Sequence, residues 1–244
     1  MLGDLATAWA AHHLAGVADP GPAVRTEPAP RLAEDRPLDE ITVTYLFDDL
    51  VLSAGSQRAL FDGAFTRPLV WHRDRWEAGR AGEHRRVNGG PAIGGERDAI
   101  AYAGGDVVTV PRHVAADVVA TYVSTTRHTG ATCALGLLAR ALPLVPRAAS
   151  GLLAPYADPA ADYGRTQFAV VAQVRRGFAA AQVVVRGRDV YRTTAEITAW
   201  CAHALASRPA GASGMRAPGE LFRAEPALRD LARRAQLTVE PSFG

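Results

Sequence analysis

The sequence predicts an α+β fold, a single domain over residues 1–244 built on a mixed, largely antiparallel sheet flanked by helices. Three observations carry that expectation. Strand-like and helix-like runs are mixed, without the strict alternation that a parallel sheet with crossover helices requires. Residues 166–187 read as two β-rich runs, TQFAVVAQVRRG and FAAAQVVVRG, joined near Gly177. The chain opens on MLGDLATAWAAHHLAGV, already helical in pattern, with no strand and glycine-rich turn before it.

The elements follow in order. Leu2, Leu5, Ala6, Trp9 and Leu14 are spaced for one helix face, which predicts a helix over 2–14. Residues 16–37 are rich in proline and charge and read as a loop. DEITVTYLFDD alternates and is β-branched, giving a strand over 40–48. SAGSQRALFDGAF turns into a helix at Ser56, expected to run over 56–65. Further strands are expected in RPLVWHRDRWEAG and around the glycine-rich turn NGGPAIGG, in GGDVVTVPRHV over 105–111, and in AADVVATYVSTTR. Residues 131–157 read as helix broken at Pro143 and Pro146. The hairpin strands are placed at 166–175 and 179–186, a helix at 194–206, then a short helix and a last strand in PALRDLARRAQLTVE.

Composition narrows the function classes. The net charge of +2 gives no strong pull toward nucleic acid or an acidic membrane surface. All 27 basic residues are Arg, so chemistry that needs a lysine amine, such as a Schiff base, is excluded. The two cysteines, Cys133 and Cys201, do not make a disulfide framework and are read as free thiols of a cytoplasmic protein. No apolar run reaches the roughly 20 residues that span a bilayer. The opening helix carries Asp4, His12 and His13 and lacks the pattern of a signal peptide. A dinucleotide site needs a strand, then G-x-G-x-x-G, then a helix, and GGPAIGG has neither that spacing nor a following helix.

At RGRDVYRTTAEITAWCAHAL the chain resembles the saccharopine dehydrogenase-like oxidoreductases, a family that includes trans-acting enoyl reductases. Gly187, Asp189, Tyr191, Thr194 and Ala195 match its G-x-D-x-Y-x-x-T-A stretch. Ser53, Gly55 and Ser56 are similar to its S-x-G-[ST] helix entry, and Thr109, Pro111, Arg112 and His113 to its T-x-P-R-H strand end. ASGMRAPGELF resembles the turn before its last helix, and MLGDLATAWAAHHL the helix that follows its nucleotide-binding half. The resemblance implies the family's second domain alone, a twisted mixed sheet flanked by helices, without the N-terminal Rossmann half. That domain supplies the substrate site and the dimer contact, so a homodimer is expected.

The same resemblance gathers Ser53, Ser56, Arg112, His113, Tyr191 and Thr194 around one cavity. Arg112 would anchor an acidic group or enolate oxygen, and His113 or Tyr191 would move the proton. Ser53, Ser56 and Thr194 would bind substrate, the helix start at Ser56 polarising a carbonyl. Each has a plainer alternative: Arg112 and His113 brace a turn, and Ser56 caps a helix. Thr193-x-x-Glu196 reads as a capping box. Asp48 and Asp49 read as turn carboxylates. Trp71, Trp76 and Trp200 read as core or pocket wall. The histidines show no metal-ligand spacing, so no metal and no cofactor are expected. The expected function is a cofactor-independent small-molecule enzyme of specialised metabolism, of the cyclase, isomerase or lyase type. The alternatives are the substrate-binding subunit of a split NAD(P)H-dependent reductase, with its Rossmann half on another chain, and a non-catalytic dimeric binding protein.

Overall fold

The computed structural model describes residues 1–58, 67–90, 95–125, 136, 137, 140, 162–207 and 214–243. Its elements run α1 (Leu2–Ala15), β1 (Leu38–Asp48), β2 (Leu69–His72), β3 (Arg75–Ala78), β4 (His84–Asn88), β5 (Glu96–Ala101), α2 (Asp106–Thr109), β6 (Ala116–Ser124), β7 (Gln167–Arg176), β8 (Ala179–Arg188), α3 (Val190–Ala206), α4 (Pro218–Leu221), α5 (Ala224–Ala235) and β9 (Thr238–Phe243). All the described strands join one mixed sheet in the order β3-β2-β6-β1-β7-β8-β9, with β5 also paired to β6 and β4 to β5. The pairing of β1 with β6 is parallel and every other described pairing is antiparallel. The expected α+β class with a mixed, mostly antiparallel sheet is what the chain forms.

Strand alternation divides the sheet into two faces. On one face Ile41 and Val43 of β1 stand beside Val174 and Ala172 of β7, which in turn face Ala181 and Val183 of β8. All are buried, and α1 lies across them, packed on β7 and β8. Helix α5 joins this layer through Ala224, Ala227, Leu228 and Leu231, a buried stripe at helical spacing. Trp200 of α3 packs against Phe222, with ring centroids 4.9 Å apart. Leu5 and Ala6 of α1 have no exposed surface, so this helix is a core element.

The opposite face is covered at one end by the β4–β5 hairpin. Val87 of β4 packs on Leu46, Ala169, Val171 and Val184. Two ion pairs clamp the hairpin to β1. Arg97 lies 2.8 Å from Asp48 with both side chains buried, and also donates to the Phe47 carbonyl. Arg85 grips Glu40 through both guanidinium nitrogens. Beyond the hairpin this face carries Thr42, Gln173 and Gln182, linked to one another by side-chain hydrogen bonds. Among the described residues this part of the face is polar.

Several boundaries differ from expectation. GGDVVTVPRHV is not a strand. Residues 106–109 form α2 and continue as a 3₁₀ turn over Val110–Arg112. The β-branched residues suggested a strand, but Val107 and Val110 sit three apart and are fully buried, and Pro111 fits a helical turn. The strand is β6, in the stretch AADVVATYVSTTR. Helix α3 begins at Val190, capped by Asp189, whose carboxylate accepts from the Arg192 backbone N–H. Thr193-x-x-Glu196 is therefore inside the helix and is no capping box; the Thr193 hydroxyl bonds back to the Arg188 carbonyl. Residues 54–58 are helical, while the rest of the expected 56–65 helix, most of 131–157, Cys133 and residues 91–94 lie outside the described residues. Trp71 and Trp200 are buried as expected, but Trp76 is about half exposed. Asp48 is not a turn carboxylate but the buried partner of Arg97. Among the described residues no helix is long and apolar enough to cross a membrane.

Gly187 shows how tightly the end of β8 is packed. A Cβ there would lie 2.6 Å from both Phe168 Cζ and Leu237 Cδ2. Gly187→Ala is therefore expected to destabilise the fold by about 1–3 kcal/mol, the usual cost of overpacking a filled core. Denaturant titration measures it, and an unchanged midpoint would contradict the close packing.

Candidate functional site

A cavity of about 490 Å³ opens where β1 ends. Strand β1 delivers Tyr45 and Phe47 to its wall, and the following loop adds Leu50, Val51 and Leu52. The loop is held by Thr166, whose hydroxyl accepts from the Val51 N–H and donates to the Asp49 carbonyl. Tyr102, Gly104 and Gly105 close another side, and Val190, Tyr191 and Thr194 present the first turn of α3. The wall is mainly apolar and carries the hydroxyls of Ser56 and Tyr191 among a few polar groups, the usual make-up of a small-molecule pocket.

Those hydroxyls are connected. The Tyr191 phenol oxygen accepts from the Ser53 backbone N–H at 2.7 Å and donates to Ser56 Oγ at 3.0 Å. Ser53 Oγ also donates to Ser56 Oγ at 3.2 Å and accepts from the Ser56 N–H. Ser56 Oγ thus receives two hydrogen bonds and retains its own proton to give. Burial opposes ionisation of the Tyr191 phenol. The Ser53 N–H, with the Ser53 and Ser56 hydroxyls able to turn and donate to the ionised form, outweighs it and sets the phenol below its ordinary value of 10.0. Tyr163 packs edge-on against the Tyr191 ring, with centroids 5.1 Å apart, and fixes its position. The Thr194 hydroxyl donates to the Val190 carbonyl and offers the cavity its lone pairs.

The structure therefore brings together Ser53, Ser56, Tyr191 and Thr194, and places the other two expected residues elsewhere. Arg112 binds Glu220 through Nε at 3.0 Å and the Met215 carbonyl through Nη2. His113 is buried, with Nε2 3.1 Å from Asp4 Oδ1. Neither lines the cavity. Arg112 ties its turn to the segment before α5, and His113 ties it to the start of α1: Asp4 also accepts from the Gly219 N–H at 2.7 Å, and Gly219 leaves room for the His113 ring. The T-x-P-R-H stretch ends a helical turn, and that turn points its last two residues away from the cavity.

Sequence reasoning missed the Tyr45 end of the site. The Tyr45 hydroxyl donates to Asp106, which is buried, while Tyr45 itself is half-buried. Burial pushes the Asp106 carboxyl above its ordinary value and the Tyr45 phenol well above its own. Tyr45 is thus held as a neutral wall group. The available signal was Leu50-Val51-Leu52, an apolar run in a loop, which a purely solvated turn would not carry. Among the described residues no cluster of His, Cys, Asp and Glu is arranged to hold a metal ion.

The Asp4–His113 pair gives a pH prediction. Burial raises the Asp4 carboxyl, but His113 and the Thr109 hydroxyl lower it by more, so it falls below its ordinary value of 3.8. A depressed carboxylate contributes stability that is complete above the unfolded value and is lost as pH falls through the folded one. Asp4→Asn is expected to cost about 3 kcal/mol near pH 6, because it removes one partner of a buried pair. The gap from the parent protein should close below about pH 4. A gap independent of pH, measured by denaturant titration, would contradict the pairing.

No family model matches the chain, and no curated protein does.

Proposed function

We propose that the chain is a cofactor-independent enzyme acting on a small, largely apolar, carbonyl-bearing molecule by isomerisation, cyclisation or elimination. The observation that carries this reading is the Tyr191 phenol, set toward ionisation by Ser53 and Ser56 on the wall of an apolar cavity. A carbonyl oxygen placed near Ser56 would receive its free O–H proton as a hydrogen bond. Tyr191, once its phenol proton has left to solvent, would take a proton from the carbon beside that carbonyl and return it to another carbon or to a leaving group. The proton and charge balance without any co-reactant, and the apolar wall would hold the reactive conformer. Arg112 and His113 have no part in this chemistry: Arg112 holds Glu220 of α4, and His113 pairs with Asp4 of α1.

The motif resemblance to the second domain of saccharopine dehydrogenase-like oxidoreductases supports the reading, because Ser53, Ser56, Tyr191 and Thr194 are among the residues that carry it. We place the protein in the cytoplasm and in specialised metabolism on that basis, and retain the homodimer as part of the proposal. The sequence offers no strand, G-x-G-x-x-G turn and helix, so the reading assigns this chain no nicotinamide nucleotide.

The reaction is tested by proton exchange. A panel of cyclic enones and β-diketones is incubated with the protein in D₂O, and loss of the acidic C–H signal is followed by NMR. The protein should accelerate exchange of at least one compound, and Tyr191→Phe should slow it by about 10²-fold or more, the usual share of a positioned acid–base group. Exchange equally fast with Tyr191→Phe, or no acceleration over buffer across the panel, would overturn the reading.

A further inference from the structure

On the other side of the first turn of α3 lies a second cleft, of about 540 Å³, that the proposed chemistry does not use. Its walls come from the end of β8, the first turns of α3 and the last turn of α5. Four guanidinium groups line it: Arg186, Arg188, Arg192 and Arg234. Strand period two puts Arg186 and Arg188 on the same side of β8. Arg192 is three residues into α3, and Arg234 is in the final turn of α5.

The charges are not internally balanced. Arg186 is satisfied by Glu240 and the Gly89 carbonyl. The other three side chains show no hydrogen bond or ion pair with a described residue. Two carboxylates share the cleft. Asp189 is occupied as the cap of α3, accepting from the Arg192 backbone N–H, and Glu196 stands one turn beyond Arg192. Three guanidinium groups with no partner among the described residues therefore share the cleft with two carboxylates, neither of which bonds a guanidinium. On the neighbouring turns of α5 the arginines do find partners: Arg233, next to Arg234, pairs with Asp230, and Arg229 pairs with Glu225. The cleft also receives the positive end of the 17-residue helix α3, which adds to the attraction for an anion.

We propose that this cleft is a binding site for a multiply charged phosphate group, a phosphate monoester or diphosphate of a small molecule. Phosphate fits where a carboxylate does not, because it carries about two negative charges at neutral pH and offers several acceptor oxygens to forked donors. The cleft's size suits a small phosphorylated group. The site stands independently of proton transfer by Tyr191, since none of its arginines touches the Tyr191–Ser56 chain.

Calorimetric titration with inorganic pyrophosphate and, separately, inorganic phosphate at low ionic strength tests it. Saturable one-to-one binding is expected, tighter for pyrophosphate. Arg192→Ala and Arg188→Ala should each weaken it by about tenfold to a hundredfold, the range for a lost hydrogen bond to a charged group. Arg192→Lys should retain part of the binding, and Tyr191→Phe all of it, which separates this site from the proposed reaction. All the arginines substituted are exposed, and circular dichroism confirms folding of each variant. No saturable heat with either probe at millimolar concentration would overturn the proposal, as would full affinity in the Arg188→Ala/Arg192→Ala double variant. Binding of a single-stranded oligonucleotide without binding of pyrophosphate would overturn it too, in favour of a nucleic-acid surface.

Discussion

Strand β1 is the constraint on which the rest of the structure depends. It is the strand paired in parallel to β6 on one side and antiparallel to β7 on the other, so neither of its edges is free. Its side chains alternate between two different environments. Ile41 and Val43 point into the core under α1, while Glu40 and Asp48 point to the other face and hold Arg85 and Arg97 of the β4–β5 hairpin. A one-residue slip would exchange the two sets, placing carboxylates under α1 and valine against arginine. The register is therefore fixed by both faces, and so is the position of the loop that leaves the strand at Asp48.

That loop is where architecture becomes chemistry. Its backbone at Ser53 supplies the N–H that meets the Tyr191 phenol, and its side chains Leu50 to Leu52 make the apolar wall. The phenol arrives from a separate element, α3, whose start is set by Asp189 and by the end of β8. Tyr45 and Tyr191 stand on the same cavity yet are displaced in opposite directions from their ordinary ionisation. The Tyr45 hydroxyl is desolvated and faces an acidic partner, whereas Tyr191 accepts an N–H and shares a proton with a serine. A difference of this kind between two like groups is what the proposed acid–base role of Tyr191 requires.

Much of the fold was legible in the sequence, for local reasons. The hairpin at Gly177 combines long β-branched runs with a glycine at positive φ, and it forms as read. The spacing of Leu2, Leu5 and Ala6 gave α1, although the helix is buried on more sides than one face. The failures are equally local. Val107, Val108 and Val110 favour strand by residue type, yet burial of Val107 and Val110 at helical spacing decided for α2. Four of the six expected site residues converge, because the S-x-G-S turn and the Tyr191 turn both sit at the ends of core strands. Arg112 and His113 do not, because their partners Glu220 and Asp4 are far away in sequence, and no local pattern announces such a pairing.

The central claim is that the fold sets the Tyr191 phenol apart from the other tyrosines. ¹³C labelling at tyrosine Cζ reads each phenol directly in an NMR pH titration, with Tyr191→Phe to assign its signal. The account predicts that the Tyr191 resonance moves at lower pH than a free tyrosine, while those of Tyr45 and Tyr122 move at higher pH. A Tyr191 signal that titrates at or above the ordinary value would contradict it.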